Sequence, residues 1–233
     1  MGVLGIIGGM GPAATDLLYR RIIARTDAER DQEHLDMIIL NHASVPDRTE
    51  AIKSGETKKV TDVLLKDVEF LAKSGVSAIV IPCNTSHYFY DVLQASTDVP
   101  IINMIRETAV SLKNAGKKRV CVLATDGTIM TGIYEKELNM NGIECIVPDS
   151  DTQKLVMKII YDQVKKGFPG NMEDFREIHR FIKKQGCDGA ILACTELSVF
   201  RAEAGLNEFY TDALEVLCEK AITTCGKNLK EII

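Results

Sequence analysis

No window of the chain approaches the roughly 20 apolar residues that a membrane-spanning helix needs, so a soluble protein is expected. No Cys-x-x-Cys pair occurs among the seven cysteines. An odd count without close pairs disfavours both a disulfide framework and a zinc knuckle, and the thiols are expected to be reduced. Clustered Lys and Arg are also missing. The formal net charge is -5, whereas a nucleic-acid surface needs a basic face to neutralise phosphates. The densest basic run, Lys117-Lys118-Arg119, stands just before an apolar strand and reads as a solvated loop. No low-complexity linker divides the chain. The run Met1-Gly2-Val3-Leu4-Gly5-Ile6-Ile7 has no basic leader and breaks early into glycines, so the expected location is the cytoplasm.

What the chain does have is a repeated pattern. Gly75-Val76-Ser77-Ala78-Ile79-Val80-Ile81-Pro82-Cys83 and Gly186-Cys187-Asp188-Gly189-Ala190-Ile191-Leu192-Ala193-Cys194 share one length and one glycine-to-cysteine frame. Each contains an apolar run of strand length and passes into small polar residues that can start a helix. This reads as an internal duplication, with both thiols at helix amino termini. Elsewhere strands and helices alternate: strands at residues 3–7, 37–41, 100–103, 119–124 and 144–147, and helices at 13–25, 57–73, 86–95, 105–114, 128–140, 151–166, 172–184 and 213–225. Such alternation predicts an α/β fold with parallel sheets. We expect two similar parallel-sheet halves related by pseudo-symmetry, with the active site in the cleft between them. Residues 1–100, joined by the C-terminal segment 209–233, make the first half, and 101–208 the second. The last helix is expected to pack on the first half.

Parallel sheets bind ligands at the carboxyl ends of their strands, where Cys83 and Cys194 lie. Two thiols on opposite sides of one carbon suit removal of a proton from one face and delivery to the other, with no cofactor. Helix amino termini favour a thiolate, and like-charge repulsion keeps only one sulfur ionised at a time. Backbone N–H groups and the side chains of Asn84, Thr85, Ser86 and Thr195 can hold a carboxylate on which charge builds. Helix capping is the alternative role for each of these four. The remaining cysteines, Cys121, Cys145, Cys187, Cys218 and Cys225, read as structural. His87 reads as a packed or capping residue. His34, His42 and His179 share no ligand spacing, and no metal is expected.

Six motifs in order carry a family resemblance: Gly8-Gly9-Met10-Gly11-Pro12, Pro46-Asp47-Arg48-Thr49, Pro82-Cys83-Asn84-Thr85-Ser86-His87, Ala124-Thr125-Asp126-Gly127-Thr128, Tyr161-Asp162-Gln163-Val164-Lys165 and Ala193-Cys194-Thr195-Glu196. The chain resembles the aspartate/glutamate racemases that act without pyridoxal phosphate. The resemblance implies an acid and base pair in Cys83 and Cys194, no cofactor, and a small amino-acid substrate. It implies substrate binding by Met10, Arg48, Asn84, Thr85, Ser86, Thr125, Lys165, Thr195 and Glu196, with Arg48 and Lys165 at the distal carboxylate, so that aspartate is favoured before glutamate. A broader substrate range is the alternative within the family. A homodimer is also implied. Phe209-Tyr210-Thr211-Asp212 departs from the usual run of a proline near an aspartate.

Two other classes stay open at this level. Gly9-Met10-Gly11-Pro12-Ala13-Ala14 follows a strand and opens a helix, as a dinucleotide fingerprint does. The second strand, however, ends in Asn41-His42 where the fingerprint wants an acid, and Asp36 lies at its other end. A non-catalytic carboxylate-binding protein would use the same strand ends with incidental thiols.

Overall fold

The alternating elements build two separate parallel sheets of matching strand order. The structure, a computed structural model, describes residues 2–231; Met1 of the amino-terminal run and the last two residues of the 209–233 segment lie outside them. Strands β1 (Leu4–Gly8), β2 (Met37–Asn41) and β3 (Ala78–Val80) form one sheet in the order β2-β1-β3. Strands β4 (Arg119–Leu123), β5 (Glu144–Ile146), β6 (Gly189–Leu192) and β7 (Tyr210–Asp212) form the other, in the order β5-β4-β6-β7. Residues 100–103, expected as a full strand, reduce to a single parallel bridge between Ile79 and Ile101. That bridge flanks β3 as β7 flanks β6, so the duplication seen in the cysteine frames extends to the topology.

The apolar runs are continuous because both faces of their strands are buried. Leu4, Ile6, Val80, Val120, Val122 and Ile191 face a layer shared by the two sheets. The helix α11 (Ala213–Thr224) fills this layer with Leu214, Leu217 and Ile222 and packs on helices α1 (Pro12–Arg25) and α5 (Met104–Asn114). On the outer faces, Ile7 and Ile79 meet Leu64 and Val68 of α3 (Lys58–Lys73), while Leu123 and Leu192 meet Val156 of α8 (Ser150–Met157) and Ile178 of α9 (Met172–Lys184). Each fully buried Leu or Ile side chain contributes roughly 1.5–3 kcal/mol. The shared layer therefore binds the halves tightly.

Local structure departs from the expected elements in four places, each with a readable cause. The polar segment around residues 45–49 leads into a helix, α2 (Arg48–Ser54), because the Asp47 carboxylate caps it by accepting from the Glu50 N–H at 3.0 Å. The helix expected at 86–95 is a 3-10 turn at Thr85–Phe89 followed by α4 (Tyr90–Gln94), so Cys83 does not stand at an α-helix amino terminus. The helix expected at 128–140 breaks at Gly132, whose φ of 63° is left-handed, into α6 (Asp126–Thr131) and α7 (Ile133–Met140). The helix expected at 151–166 is α-helical only to Met157 and continues as a π-helical stretch, Lys158–Gln163, and a 3-10 turn, Val164–Lys166. The wider turn shifts later residues around the axis.

Within the segment 209–212, Tyr210–Asp212 form an ordinary parallel strand, β7, beside β6. Asp212 ends it, caps α11 through the Leu214 N–H at 2.9 Å, and meets Arg21 of α1 at 2.7 Å.

Cys121 and Cys218 are fully buried. Burial pushes the Cys121 thiol far up and Cys218 up to about 12. Their contribution to stability is complete below the unfolded thiol pKa of about 8.5. Above it the unfolded chain ionises while the folded chain keeps its protons, so stability falls by about 1.4 kcal/mol per pH unit per thiol until the folded pKa is reached. Urea denaturation under reducing conditions should show a steady midpoint up to about pH 8 and a clear drop by about pH 10. A midpoint unchanged over that range would contradict the placement of these thiols.

Candidate active site

Beyond the ends of β3 and β6, Cys83 and Cys194 line one cleft, each only 5–6% exposed. Cys194 is the residue before α10 (Thr195–Ala204), with an extended backbone. Cys83 lies in a tight turn in which its N–H donates to the Ile81 carbonyl at 2.7 Å. The cleft holds about 10 Å³ of free volume, room for about one water. It adjoins a vestibule of about 330 Å³ walled by Pro12, Ala13, Val45, Val164 and Val199, with Met10, Asp47, Arg48, Lys165 and Glu196 bordering both spaces. An amino acid between the sulfurs therefore requires these bordering side chains to part.

Every candidate site residue except Ser86 lines the cleft. Ser86 is fully buried and its hydroxyl donates to the Met10 sulfur at 3.5 Å, so it braces the wall instead of facing the cleft. Asp47, Thr49 and Tyr161, to which no role is assigned from sequence, line it as well. Their signal was present in the quoted motifs, since Tyr161 and Lys165 are four residues apart on one helical segment.

The two thiols have different surroundings. The Cys194 Sγ–H donates to Glu196 Oε2 at 2.9 Å. Burial, the Glu196 charge and this hydrogen bond push the Cys194 thiol well above the usual range, against the pull of Lys165. The favourable helix end is overridden, which corrects the expectation of a thiolate there. Cys83 instead faces a cation. Burial disfavours the Arg48 charge, but the neighbouring Cys83 and the Asp47 carboxylate outweigh it and raise the Arg48 pKa. The Arg48 guanidinium also donates to the Val45, Pro46 and Met10 carbonyls at 3.2, 3.0 and 3.4 Å.

Lys165 links the two sides. Its ammonium lies 3.8 Å above the Tyr161 ring and 3.6 Å from Asp47 Oδ2. Burial disfavours its charge, yet Glu196, Tyr161, Cys194 and Asp47 together raise its pKa. Tyr161 O–H donates to Asp47 Oδ2 at 3.2 Å. The Asp47 carboxyl is held below the usual range against burial, by the Glu50 N–H, Lys165 and Arg48. A hydroxyl cluster completes the floor: Thr85 and Thr125 approach to 3.1 Å, Thr85 and Thr128 to 2.8 Å, and Thr125 and Thr128 to 3.2 Å, while Thr49 donates to Thr125 at 3.1 Å.

His87 is buried and tethers two elements. Its Nε2 accepts from the Met104 N–H at 3.1 Å, which leaves Nδ1 to donate to the Cys83 carbonyl at 3.0 Å. The other histidines described have structural partners in two cases: His42 meets Asp67 at 2.9 Å and His179 meets the Tyr210 hydroxyl at 2.5 Å.

The glycine turn after β1 is filled by the protein itself. A Cβ on Gly8 would lie 2.4 Å from Thr15 Cγ2, and one on Gly9, whose φ is 89°, would lie 2.5 Å from the His42 carbonyl carbon. Gly8 admits Thr15 of α1 and Gly9 admits the loop after β2, so the first glycine of the dinucleotide fingerprint serves packing within the protein.

Two thiols from equivalent strand ends of a duplicated parallel fold thus line one cleft. The chain belongs to the Asp/Glu/Hydantoin racemase family, whose model matches residues 7–218. It is 31% identical over 204 residues to the broad-specificity amino-acid racemase RacX of Bacillus subtilis, covering 84% of this chain and 86% of that one. Among solved structures it is similar to the aspartate racemase of Picrophilus torridus, with a TM-score of 0.83, 31% identity and coverage of 99% and 96% of the two chains. An aspartate racemase homologue from Pyrococcus horikoshii gives 0.78 and 25%, covering 97% and 99%.

The Glu196 contact yields a test that does not depend on the reaction. In Glu196→Gln the charge that holds the Cys194 proton is gone, so alkylation of Cys194 by iodoacetamide at pH 7.5 should speed up several-fold, while Cys83 changes little. Peptide mass mapping over time reads both sites. Equal rates at Cys194 in the two proteins would remove Glu196 from control of this thiol.

Proposed function

We propose that this chain is a cofactor-independent racemase of a small acidic amino acid, aspartate before glutamate, and that Cys83 and Cys194 are its two bases. The observation that carries the reading is that both sulfurs line one cleft from opposite halves, with carboxylate-binding donors beside each. The family membership supports racemisation, and the similarity to the aspartate racemase of Picrophilus torridus supports the acidic substrate.

In this reading a thiolate on one side takes the α-proton and becomes a thiol. The electron pair left on the α-carbon spreads into the α-carboxylate, where the Asn84 amide, the Thr85 and Thr195 hydroxyls and nearby backbone N–H groups stabilise it. The opposite thiol then delivers its proton to the other face and becomes the thiolate. The contrast between the two thiols sets the starting state. Cys194, holding its proton on Glu196, is the acid for one enantiomer, with Cys83 opposite it as the base; the other enantiomer is met by the reverse assignment. Proton exchange with solvent through the vestibule resets the pair.

Arg48 and Lys165 take the distal carboxylate, the first by paired N–H donors and the second as a point charge. Met10, Thr125 and Glu196 shape the wall around the substrate. We take residues 1–100 with 209–233 as one half and 101–208 as the other, and the working form as a cytoplasmic homodimer. Light scattering on the purified protein tests the dimer.

Incubation with L-aspartate in deuterated water should produce D-aspartate carrying deuterium at the α-carbon, read by chiral chromatography and mass spectrometry. Cys83→Ala and Cys194→Ala should each lower this by at least about a thousandfold, with folding retained; full activity in either contradicts the two-base scheme. Arg48→Ala should cost aspartate at least about tenfold more in kcat/KM than alanine. Equal losses for the two substrates would remove the distal role of Arg48.

A further inference from the structure

Asn84 is 2% exposed, and its Nδ2 is buried with no hydrogen-bond partner, on the wall of the cleft beside Cys83. An unpaired buried donor of this kind is destabilising unless a ligand completes it. The other end of the same amide is occupied. Tyr134, on α7 of the opposite half, donates its hydroxyl to Asn84 Oδ1 at 2.5 Å. The Tyr134 ring is 3% exposed and packs in the apolar layer shared by the sheets, with only its hydroxyl reaching the amide.

The geometry points to Tyr134 as a positioning residue for the racemase site: it fixes the Asn84 amide so that its N–H donors, and not its oxygen, meet the substrate carboxylate. The inference rests on the function proposed above. An amide has two orientations of similar shape, and only one presents donors to the cleft. The Tyr134 hydroxyl holds that orientation, since its O–H donates to Oδ1. In the reversed orientation Oδ1 would face the incoming carboxylate and repel it. Burial raises the Tyr134 pKa far beyond the working range, so the hydroxyl stays a donor throughout.

Tyr134→Phe keeps the buried ring and removes only the hydroxyl. For L- and D-aspartate alike, kcat/KM should fall about 10- to 100-fold, with a rise in KM. The loss should vanish, to within about twofold, when Tyr134→Phe is made in an Asn84→Ala background, since both substitutions then remove the same interaction. Additive losses would indicate a structural role and overturn the proposal, as would an unchanged kcat/KM in the single variant. Asn84→Asp, which still accepts from Tyr134 but offers the cleft no donor, should lose at least as much activity as Asn84→Ala. Full activity in Asn84→Asp would also overturn it.

A second readout separates this inference from the racemase reading. In ¹⁵N-labelled protein without substrate, the Asn84 side-chain NH₂ signal, assigned by its loss in Asn84→Ala, should broaden or exchange faster with water in Tyr134→Phe. An unchanged signal would refute the positioning role even if racemisation is confirmed. A changed signal in a protein inactive on every amino acid would leave the positioning intact and refute the reaction.

Discussion

The apolar layer shared by the two sheets governs the distance at which their strand ends face each other. Leu4, Ile6 and Val80 on one side and Val120, Val122 and Ile191 on the other are held apart by α11 and its neighbours. Interiors of this kind are packed as tightly as organic crystals and deform little. The separation of the two thiol-bearing turns is thus set by side-chain volumes remote from the cleft. Neither half defines it alone, and the salt link between Arg21 and Asp212 ties α1 to the strand end that begins α11.

On that frame the cleft carries charges of alternating sign. Arg48 stands against Cys83, Asp47 beside Arg48 and Lys165, and Glu196 between Lys165 and Cys194. Two cations and two carboxylates compensate each other, so the resting pocket carries little net formal charge of its own. The order along the chain of groups still matters. It places a guanidinium beside Cys83 and a carboxylate on Cys194, giving two chemically identical side chains different neighbours. A duplicated fold with symmetrical surroundings would not separate the thiols in this way.

The duplicated strands were legible because a strand buried on both faces leaves an unbroken aliphatic run, and the cysteine closing each run marks its carboxyl end. The π-helical stretch at Lys158–Gln163 was not, since a widened turn leaves the apolar spacing of 151–166 close to that of an ordinary helix. α2 escaped as a short helix following Pro46, although Asp47 and Glu50 spell a capping pattern. Ser86 illustrates the limit of reading a motif residue by residue: its neighbours Asn84 and Thr85 turn into the cleft, while the tight 3-10 turn directs Ser86 to Met10. Tyr134 was invisible because its partner is 50 positions away and its own segment reads as core. The roles proposed for Arg48 and Lys165 rest on the resemblance, since an isolated basic residue has no spacing that marks it.

The triangle formed by the Thr85, Thr125 and Thr128 hydroxyls admits two senses of circulation, because in each of its three contacts either oxygen can be the donor. Rotating three O–H bonds turns the clockwise arrangement into the anticlockwise one without displacing a heavy atom. Each hydroxyl on the floor of the cleft can therefore exchange donor for acceptor while the framework stays still.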